Sequence, residues 1–328
     1  MNNRRKLIIA LGASALAVPF GSFSQQPAKI SRIGYLTSFP SDNDQRVEVF
    51  KQQLRDLGHV EGKTIAIDYL SAEAKYDRLP ALAAELARRN VDVIITAGGT
   101  PTATAARNAA RTIPVVFVGI ADPVGLGFVT SLARPGGNVT GITNQNRDLA
   151  AKLLALLKEI VPSAKRIAIL ANPTNSSLPA VIQDMQAAAR TLRMDITVVN
   201  AKLPAEFEGV FAEMARDRPD GLVILGDAMF NSQAGRLATL AARHRLPTMG
   251  GNNAVAESGG LMSYAANSLD LMRRGAVLVD KILKGAKPAN LPVEQPTKFE
   301  MVVNMKTAKA LGIKIPNSIL VQATKVIE

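Results

Sequence analysis

The sequence predicts an α/β protein of two similar lobes, each a parallel β-sheet flanked by helices, facing one another across a cleft. Three observations predict it. Aliphatic and β-branched runs alternate with segments of helical periodicity along nearly the whole chain, as parallel βαβ units require. The chain also repeats itself. Arg32-Ile33-Gly34-Tyr35-Leu36-Thr37 is echoed by Arg166-Ile167-Ala168-Ile169-Leu170-Ala171, Val91-Asp92-Val93-Ile94-Ile95-Thr96 by Pro219-Asp220-Gly221-Leu222-Val223-Ile224-Leu225, and Ile113-Pro114-Val115-Val116 by Leu246-Pro247-Thr248-Met249. Finally, 328 residues, 47% of them hydrophobic and 20% charged, suffice for two substantial cores.

Element by element, Ile30 to Thr37 reads as the first strand and ends in the polar loop Ser38-Phe39-Pro40-Ser41-Asp42-Asn43. Val47, Phe50, Leu54 and Leu57 recur at helical spacing, and Gly58 closes that helix. Ile65, Ile67 and Tyr69 alternate in a second strand, Thr64 to Tyr69. A helix from Leu79 to Arg89 carries Leu79, Leu82, Ala83 and Leu86 on one face. Val91 to Thr96 has no polar interruption after Asp92, which fits a parallel strand buried on both faces. An alanine-rich helix, Ala103 to Ala110, and a strand, Val115 to Ile120, complete the first half. The second half places strands at Arg166–Leu170, Ile196–Asn200 and Leu222–Leu225, with helices at Leu178–Leu192, Glu206–Arg216 and Gln233–Arg243. Right-handed crossovers put helices on both faces of each sheet.

The join between halves falls near Gly141-Ile142-Thr143-Asn144, and a long helix, Leu149 to Ile160, opens the second lobe. The trailing part has no counterpart in the duplication. It offers a strand at Leu261–Tyr264, a helix at Leu269–Leu283, a strand at Phe299–Asn304 and a short helix at Thr307–Leu311. It must close both lobes, so the chain crosses between them more than once. The expected division is a leader at 1–24, lobe 1 at 25–142 plus roughly 265–290, and lobe 2 at 143–264 plus roughly 291–328.

The leader has the order of an export signal. Arg4-Arg5-Lys6 is a positive n-region, Leu7 to Phe20 is apolar or small, and Ser22-Phe23-Ser24 supplies small residues for cleavage before Gln25. The apolar stretch is too short for a permanent span, and no later run reaches membrane length. The expectation is a soluble, exported, periplasmic protein. The chain has no cysteine, which excludes disulfides, thiolate catalysis, cysteine metal sites and a lipid anchor on an N-terminal cysteine. Net charge is +12, of which Arg4, Arg5 and Lys6 lie in the leader. The remaining basic residues are scattered singly along helices with no interleaved aromatics, a solvated basic surface rather than a nucleic-acid footprint.

In open parallel sheets ligands bind beyond the carboxyl ends of the strands. In the first half those ends hold Thr37 and Ser38, then Gly98-Gly99-Thr100-Pro101-Thr102, then Asp122-Pro123. In the second half they hold Asn172-Pro173-Thr174-Asn175, then Gly226-Asp227, then Gly250-Gly251-Asn252-Asn253. Gly98 and Gly99 admit close backbone approach, Pro101 suits a first helical turn, and free N–H groups with the helix dipole favour an anion there. No lysine follows in the manner of a nucleotide P-loop, so a carboxylate fits better than a triphosphate. Asp122 and Asp227 can each meet an ammonium or hydroxyl; Asp122 can equally serve a turn ahead of Pro123, and Asp227 can equally cap the next helix. The two histidines, His59 and His244, lie at helix ends away from these loops, so neither a Ser–His nucleophile nor a His-rich metal site has support.

These loops resemble one family, the periplasmic substrate-binding proteins of ABC transporters in the tryptophan/tyrosine-binding-like group. The matching stretches are Ile33-Gly34-Tyr35-Leu36, Tyr76-Asp77-Arg78-Leu79-Pro80, Gly98-Gly99-Thr100-Pro101, Asp122-Pro123-Val124, Arg134-Pro135-Gly136-Gly137-Asn138-Val139-Thr140-Gly141 and Pro296-Thr297-Lys298-Phe299-Glu300. The resemblance implies a type I periplasmic-binding-protein fold, with two Rossmann-like lobes, three crossovers and a hinge that closes on ligand. It further implies a ligand shell of Thr37, Ser38, Gly99, Thr100, Thr102 and Asp122 from the first lobe, and Asn172, Asn175, Asp227 and Asn252 from the second. The expected ligand is small, amino-acid-like or carboxylate-bearing. The expected partner is an inner-membrane ABC permease, with a monomeric protein, no cofactor, no metal, no nucleic acid and no catalysis. A ligand-presenting sensor and an enzyme on the same fold are the alternatives. No tryptophan and only four tyrosines leave few stacking platforms for a sugar. Phe39 and Phe230 are the candidates for an apolar wall beside the loops.

Overall fold

The computed structural model describes residues 30–40 and 44–328; the leader expected at 1–24 lies outside them. Lobe 1 is a five-stranded, all-parallel sheet of β1 (Ser31–Thr37), β2 (Ile65–Ser71), β3 (Val93–Ala97), β4 (Val115–Ile120) and β5 (Val139–Thr143), in the order β2-β1-β3-β4-β5. Its crossover helices are α1 (Gln45–Asp56), α2 (Leu79–Arg88) and α3 (Thr100–Ala109). The second lobe starts with α4 (Asn146–Ile160) and alternates β6 (Arg166–Ala171), α5 (Leu178–Leu192), β7 (Asp195–Asn200), α6 (Phe207–Asp217) and β8 (Gly221–Ile224). It continues through α7 (Ala228–Ser232), α8 (Ala234–Arg243), β9 (Thr248–Gly250), α9 (Asn253–Glu257) and β10 (Met262–Ala266). After α10 (Ser268–Leu283) come β11 (Phe299–Asn304), α11 (Met305–Leu311), α12 (Asn317–Gln322) and β12 (Lys325–Ile327).

The second sheet runs β12-β11-β10-β9-β8-β6-β7, so its segment β7-β6-β8-β9-β10 repeats the strand order of lobe 1. The duplication read from the sequence is thus a duplication of topology. β11 departs from it by running antiparallel to β10, and β12 pairs parallel with β11. Gly141 belongs to β5, a strand, where the sequence reading placed a join. The crossing follows directly, between Thr143 and Asn146, and the reason β5 itself went unread is local. β5 passes close against β4, and a Cβ on Gly141 would lie 2.0 Å from the Phe117 carbonyl oxygen, so glycine is there for contact and not for a turn.

Each sheet is buried on both faces, as parallel sheets are. In lobe 1 one face packs Ile33, Tyr35, Val93, Ile95, Val116 and Val118 against Phe50 and Leu54 of α1 and against Leu271, Met272, Ala276 and Val279 of α10. Gly275 lets α10 lie flat there, since a Cβ would meet Val118 at 2.9 Å and Ile95 at 3.1 Å. The other face packs Leu36, Ile94 and Phe117 against α2 and α3. In lobe 2, α4 and α5 cover one face and α6 and α8 the other.

β10 therefore lies in one lobe and the next helix, α10, on the other. The following segment returns alongside β5, where Glu294 N–H donates to the Gly141 carbonyl and the Glu294 carbonyl accepts from Thr143 N–H, both at 2.9 Å. The chain then re-enters lobe 2 at β11. Crossings between lobes thus fall after β5, after β10 and before β11. At the first of them Gln145 holds a left-handed conformation with φ of 53° as it precedes α4.

Candidate functional site

The carboxyl ends of β1 and β3 converge first. Thr37 and Ser38 are fully buried. Thr37 Oγ1 accepts from Phe39 N–H at 3.1 Å, and Ser38 Oγ donates to the Gly98 carbonyl at 3.3 Å. Gly98 has φ of +112° and a Cβ there would sit 1.8 Å from Ser38 Oγ, so the loop needs glycine twice over. Gly99 caps α3 with φ of 78°, and Pro101 follows in the first turn. The hydroxyls of Thr96, Thr100 and Thr102 are buried and have no partner within the protein. Such groups are costly unless something satisfies them; Thr96 lies near the end of β3 and Thr100 and Thr102 in the first turn of α3.

Lobe 2 supplies a different chemistry. Asp227, 6% exposed, caps α7 and accepts at Oδ1 from Met229 N–H at 2.9 Å and Phe230 N–H at 3.4 Å. Asn172 Nδ2 donates to Oδ1 at 3.3 Å and Asn175 Nδ2 to Oδ2 at 3.1 Å. The two asparagines are locked in turn, Asn172 Oδ1 by Thr174 and Asn175 Oδ1 by Ser177. Asp227 thus caps its helix and also gathers Asn172 and Asn175 from the loop after β6. Asn252, which caps α9 without a side-chain bond, leaves both its amide oxygen and nitrogen buried and unpartnered.

One residue outside the expected set bridges the lobes. Tyr76, in the short turn Tyr76–Arg78 ahead of α2, donates from its hydroxyl to Asp227 Oδ2 at 2.7 Å and accepts from Ala228 N–H at 3.2 Å. Burial, and then the Asp227 carboxylate beside it, raise the Tyr76 phenol well above its ordinary pKa, so it remains a donor. Its signal in the sequence was its place in the stretch Tyr76-Asp77-Arg78-Leu79-Pro80, but nothing nearby in sequence announces a partner 151 residues away.

Asp122 has two partners within the protein, the first of them in the turn that the sequence also allowed. Its Oδ1 accepts from Gly125 N–H at 2.7 Å and its Oδ2 from Arg147 Nη1 at 2.6 Å. Arg147, near the start of α4, also grips Asp184 of α5 through Nε at 2.7 Å. Those bonds, to Asp184 first and Asp122 second, raise the guanidinium pKa further. Asp122 is therefore engaged in a turn and an ion pair between lobe 1 and α4, and with Arg147, Thr143, Gln145, Asp148 and Gln295 it lines a hollow of about 340 Å³. The Asp227 cluster lies apart from that hollow's lining. The aromatic wall differs from the expectation. Phe230 is fully buried, 6.0 Å from the Phe207 ring within the lobe 2 core, and Phe39 lies under the Arg46 guanidinium at 3.3 Å.

The histidines have structural partners, His59 with Asp280 at 2.8 Å and His244 stacked on Phe211. No group of three or more His, Asp or Glu side chains that could hold a metal occurs among the described residues. No helix among them is long and apolar enough to cross a membrane.

Comparison with known proteins agrees with this architecture. The family model for ABC transporter substrate binding proteins matches residues 37–327. A tyrosine-binding protein of Clostridioides difficile is 26% identical over 282 residues, covering 86% of this chain and 80% of that protein. A conserved domain protein of Vibrio cholerae is 26% identical, with a TM-score of 0.83, over 91% of this chain and 100% of its own. The ABC domain of Streptococcus pneumoniae solved with L-Trp is 25% identical, with a TM-score of 0.82 and the same coverage. With one parallel and one largely parallel sheet joined by crossings that place a polar cluster between them, the chain has the type I periplasmic-binding-protein fold. It belongs to the ABC transporter substrate-binding protein family, and is similar there to the tryptophan/tyrosine-binding-like group that its loops suggested.

Proposed function

We propose that this protein captures a small amino-acid-like, carboxylate-bearing ligand between its lobes and delivers it to an inner-membrane ABC importer, acting as a monomer in the periplasm and catalysing no reaction. One observation carries the reading. The protein leaves buried polar atoms unpartnered at strand ends of both lobes, Thr96, Thr100 and Thr102 around the end of β3 and Asn252 just after β9. A carboxylate on Gly99, Thr100 and Thr102 meets donors and the positive end of α3. The opposite end of the ligand meets Asn252, with Asn172, Asn175 and Asp227 setting a negative, hydrogen-bonded wall behind it. Thr37 and Ser38 support the lobe 1 loop. Asp122, held by Arg147 at the crossing, offers a further carboxylate at the end of β4.

The names of the similar proteins support tryptophan and tyrosine as first ligands to try. The binding mechanism is capture followed by closure, because a ligand touching both walls favours the state in which the walls meet. Titration calorimetry with L-tryptophan and L-tyrosine tests it. Thr100→Val and Asn252→Ala are each expected to weaken binding by roughly tenfold or more, the cost of unmaking a hydrogen bond to a charged or buried group, with the melting curve of the free protein little changed. Wild-type affinity in both variants sinks the assignment. Recovery of the ligand unaltered after prolonged incubation separates binding from catalysis. Intact mass of the exported protein, with Gln25 at its N-terminus, tests cleavage of the leader.

A further inference from the structure

We infer that Tyr76 is a closure residue, a latch that holds lobe 1 against the Asp227 cluster of lobe 2 and sets how long a ligand stays bound. The lifetime part of this inference rests on the binding function proposed above; the latch itself rests on geometry alone. Asp227 is built as a fixed acceptor by its own lobe. Met229, Phe230 and Asn172 occupy Oδ1, and Asn175 takes one position on Oδ2. The remaining Oδ2 position receives the Tyr76 hydroxyl at 2.7 Å, the shortest of the five bonds. The same hydroxyl accepts from Ala228 N–H, so both of its hydrogen-bonding roles are fulfilled by lobe 2.

The Tyr76 side chain is anchored at its other end. Its ring packs against the lobe 1 core cluster that contains Leu79, Ala83 and Phe128. The segment leading to it is held with it. Ala74 N–H donates to the Ser38 carbonyl at 2.7 Å, while the Ala74 side chain packs against the lobe 2 core of Phe207, Met229 and Phe230. Glu73 and Ala74 both adopt positive φ, 52° and 60°, a costly backbone for residues other than glycine. Such a conformation persists only where its surroundings hold it, and here those surroundings include the opposite lobe. A charge-assisted bond to a carboxylate that is 6% exposed belongs to the stronger class of hydrogen bonds. A ring rooted in one core with its tip in the other lobe therefore stabilises the arrangement in which the lobes meet, and slows separation more than encounter.

The absence of cysteine makes a direct test clean. Spin labels at Arg88→Cys in α2 and Glu213→Cys in α6, both exposed, report the inter-lobe distance. The distribution is measured in Tyr76→Phe, in Tyr69→Phe as a control whose hydroxyl has no protein partner, and in the parent, without added ligand and with L-tryptophan or L-tyrosine. The latch predicts a populated short distance in the parent without ligand, a closed-to-open ratio lowered by roughly tenfold in Tyr76→Phe, and no change in Tyr69→Phe. Stopped-flow dissociation of whichever amino acid binds is expected to quicken in Tyr76→Phe by a similar factor, with the association rate and melting temperature held. That split is one a packing defect would not produce. A Tyr76→Phe distribution that superimposes on the parent's, or a parent with no short distance before ligand is added, overturns the latch. If neither amino acid binds the parent, tryptophan and tyrosine fail as its ligands while the distance measurement still decides the latch.

Discussion

Buried hydroxyls fall into two groups at the level of single residues. Thr140 donates to the Leu291 carbonyl at 2.7 Å, and Thr248 Oγ1 accepts from Leu261 N–H at 2.7 Å; these tie the chain together. Thr96, Thr100, Thr102, Tyr35 and Tyr69 have no such partner. The threonines lie around the loop that ends β3, where the proposed ligand would satisfy them. Tyr35 lies in mid-strand, its ring stacked on Tyr69 at 5.2 Å and tilted against Phe50 at 5.4 Å in the lobe 1 core. Burial, and next the Asp44 carboxylate, push its phenol pKa up, which keeps the hydroxyl neutral but leaves it unpaired. Tyr35→Phe keeps the ring contacts and removes the stranded group. It is expected to raise unfolding free energy by about 1 kcal/mol in a urea titration; a loss of similar size would instead show that the hydroxyl has a partner in solution.

Elements show how far the chain could be read. Strands β1, β3, β4 and β6 were legible because a parallel strand buried on two faces must be a continuous apolar run. Helices α1, α2 and α5 were legible because their apolar residues recur at helical spacing. β5 was not, since Val139-Thr140-Gly141-Ile142-Thr143 carries a glycine whose reason is Phe117 in the neighbouring strand. Gly141→Ala is accordingly expected to cost about 3 kcal/mol, through backbone displacement against Phe117, seen as a lowered melting temperature by circular dichroism. α7 was missed because Asp227 reads equally as a loop carboxylate and as a cap, and it is a cap whose spare valences hold two asparagines and a tyrosine. Of the candidate site, Thr100, Thr102 and Asn252 stand where the strand-end rule put them, with buried atoms unpartnered. Asp122 obeyed the same rule and still found Arg147, because α4 enters at that crossing and no pattern within the loop reveals it.

For the whole molecule, acid should act on both lobes. Asp220 ties the start of β6 to the loop before β8 by accepting from Lys165 and Arg166 N–H, each at 2.8 Å. Burial alone would raise its pKa, but the backbone bonds from Arg166 and Lys165 outweigh burial and hold it below the ordinary carboxylate value. Asp280 joins α10 to the loop after α1 through His59 at 2.8 Å and takes Lys284 at 2.7 Å. Burial opposes ionisation there too, and the bonds from Lys284 and His59 outweigh it, so its pKa is also lowered. A depressed folded-state pKa means the stabilisation is present above the unfolded carboxylate value of about 3.9 and is lost as pH falls through the lower folded value. The melting temperature is expected to fall as pH drops below about 4, and Asp280→Asn to flatten that slope; a melting temperature independent of pH across that window contradicts it.

Sequence alone determined the two lobes, their repeated succession of strands and helices, the strand-end loops and the glycine-proline turn of Gly98-Gly99-Thr100-Pro101. Each of these is written in neighbouring residues, through periodicity, β-branching and the special conformations of glycine and proline. Only the tertiary structure decided which groups the two loop aspartates bond and that Tyr76 reaches from one lobe to the other. Hydrogen-bond partners of buried polar groups are chosen by space and not by spacing. Asp227 meets Tyr76 from 151 positions away and Asp122 meets Arg147 from 25. Both pairings form only because the chain crosses from one lobe to the other and sets these elements side by side.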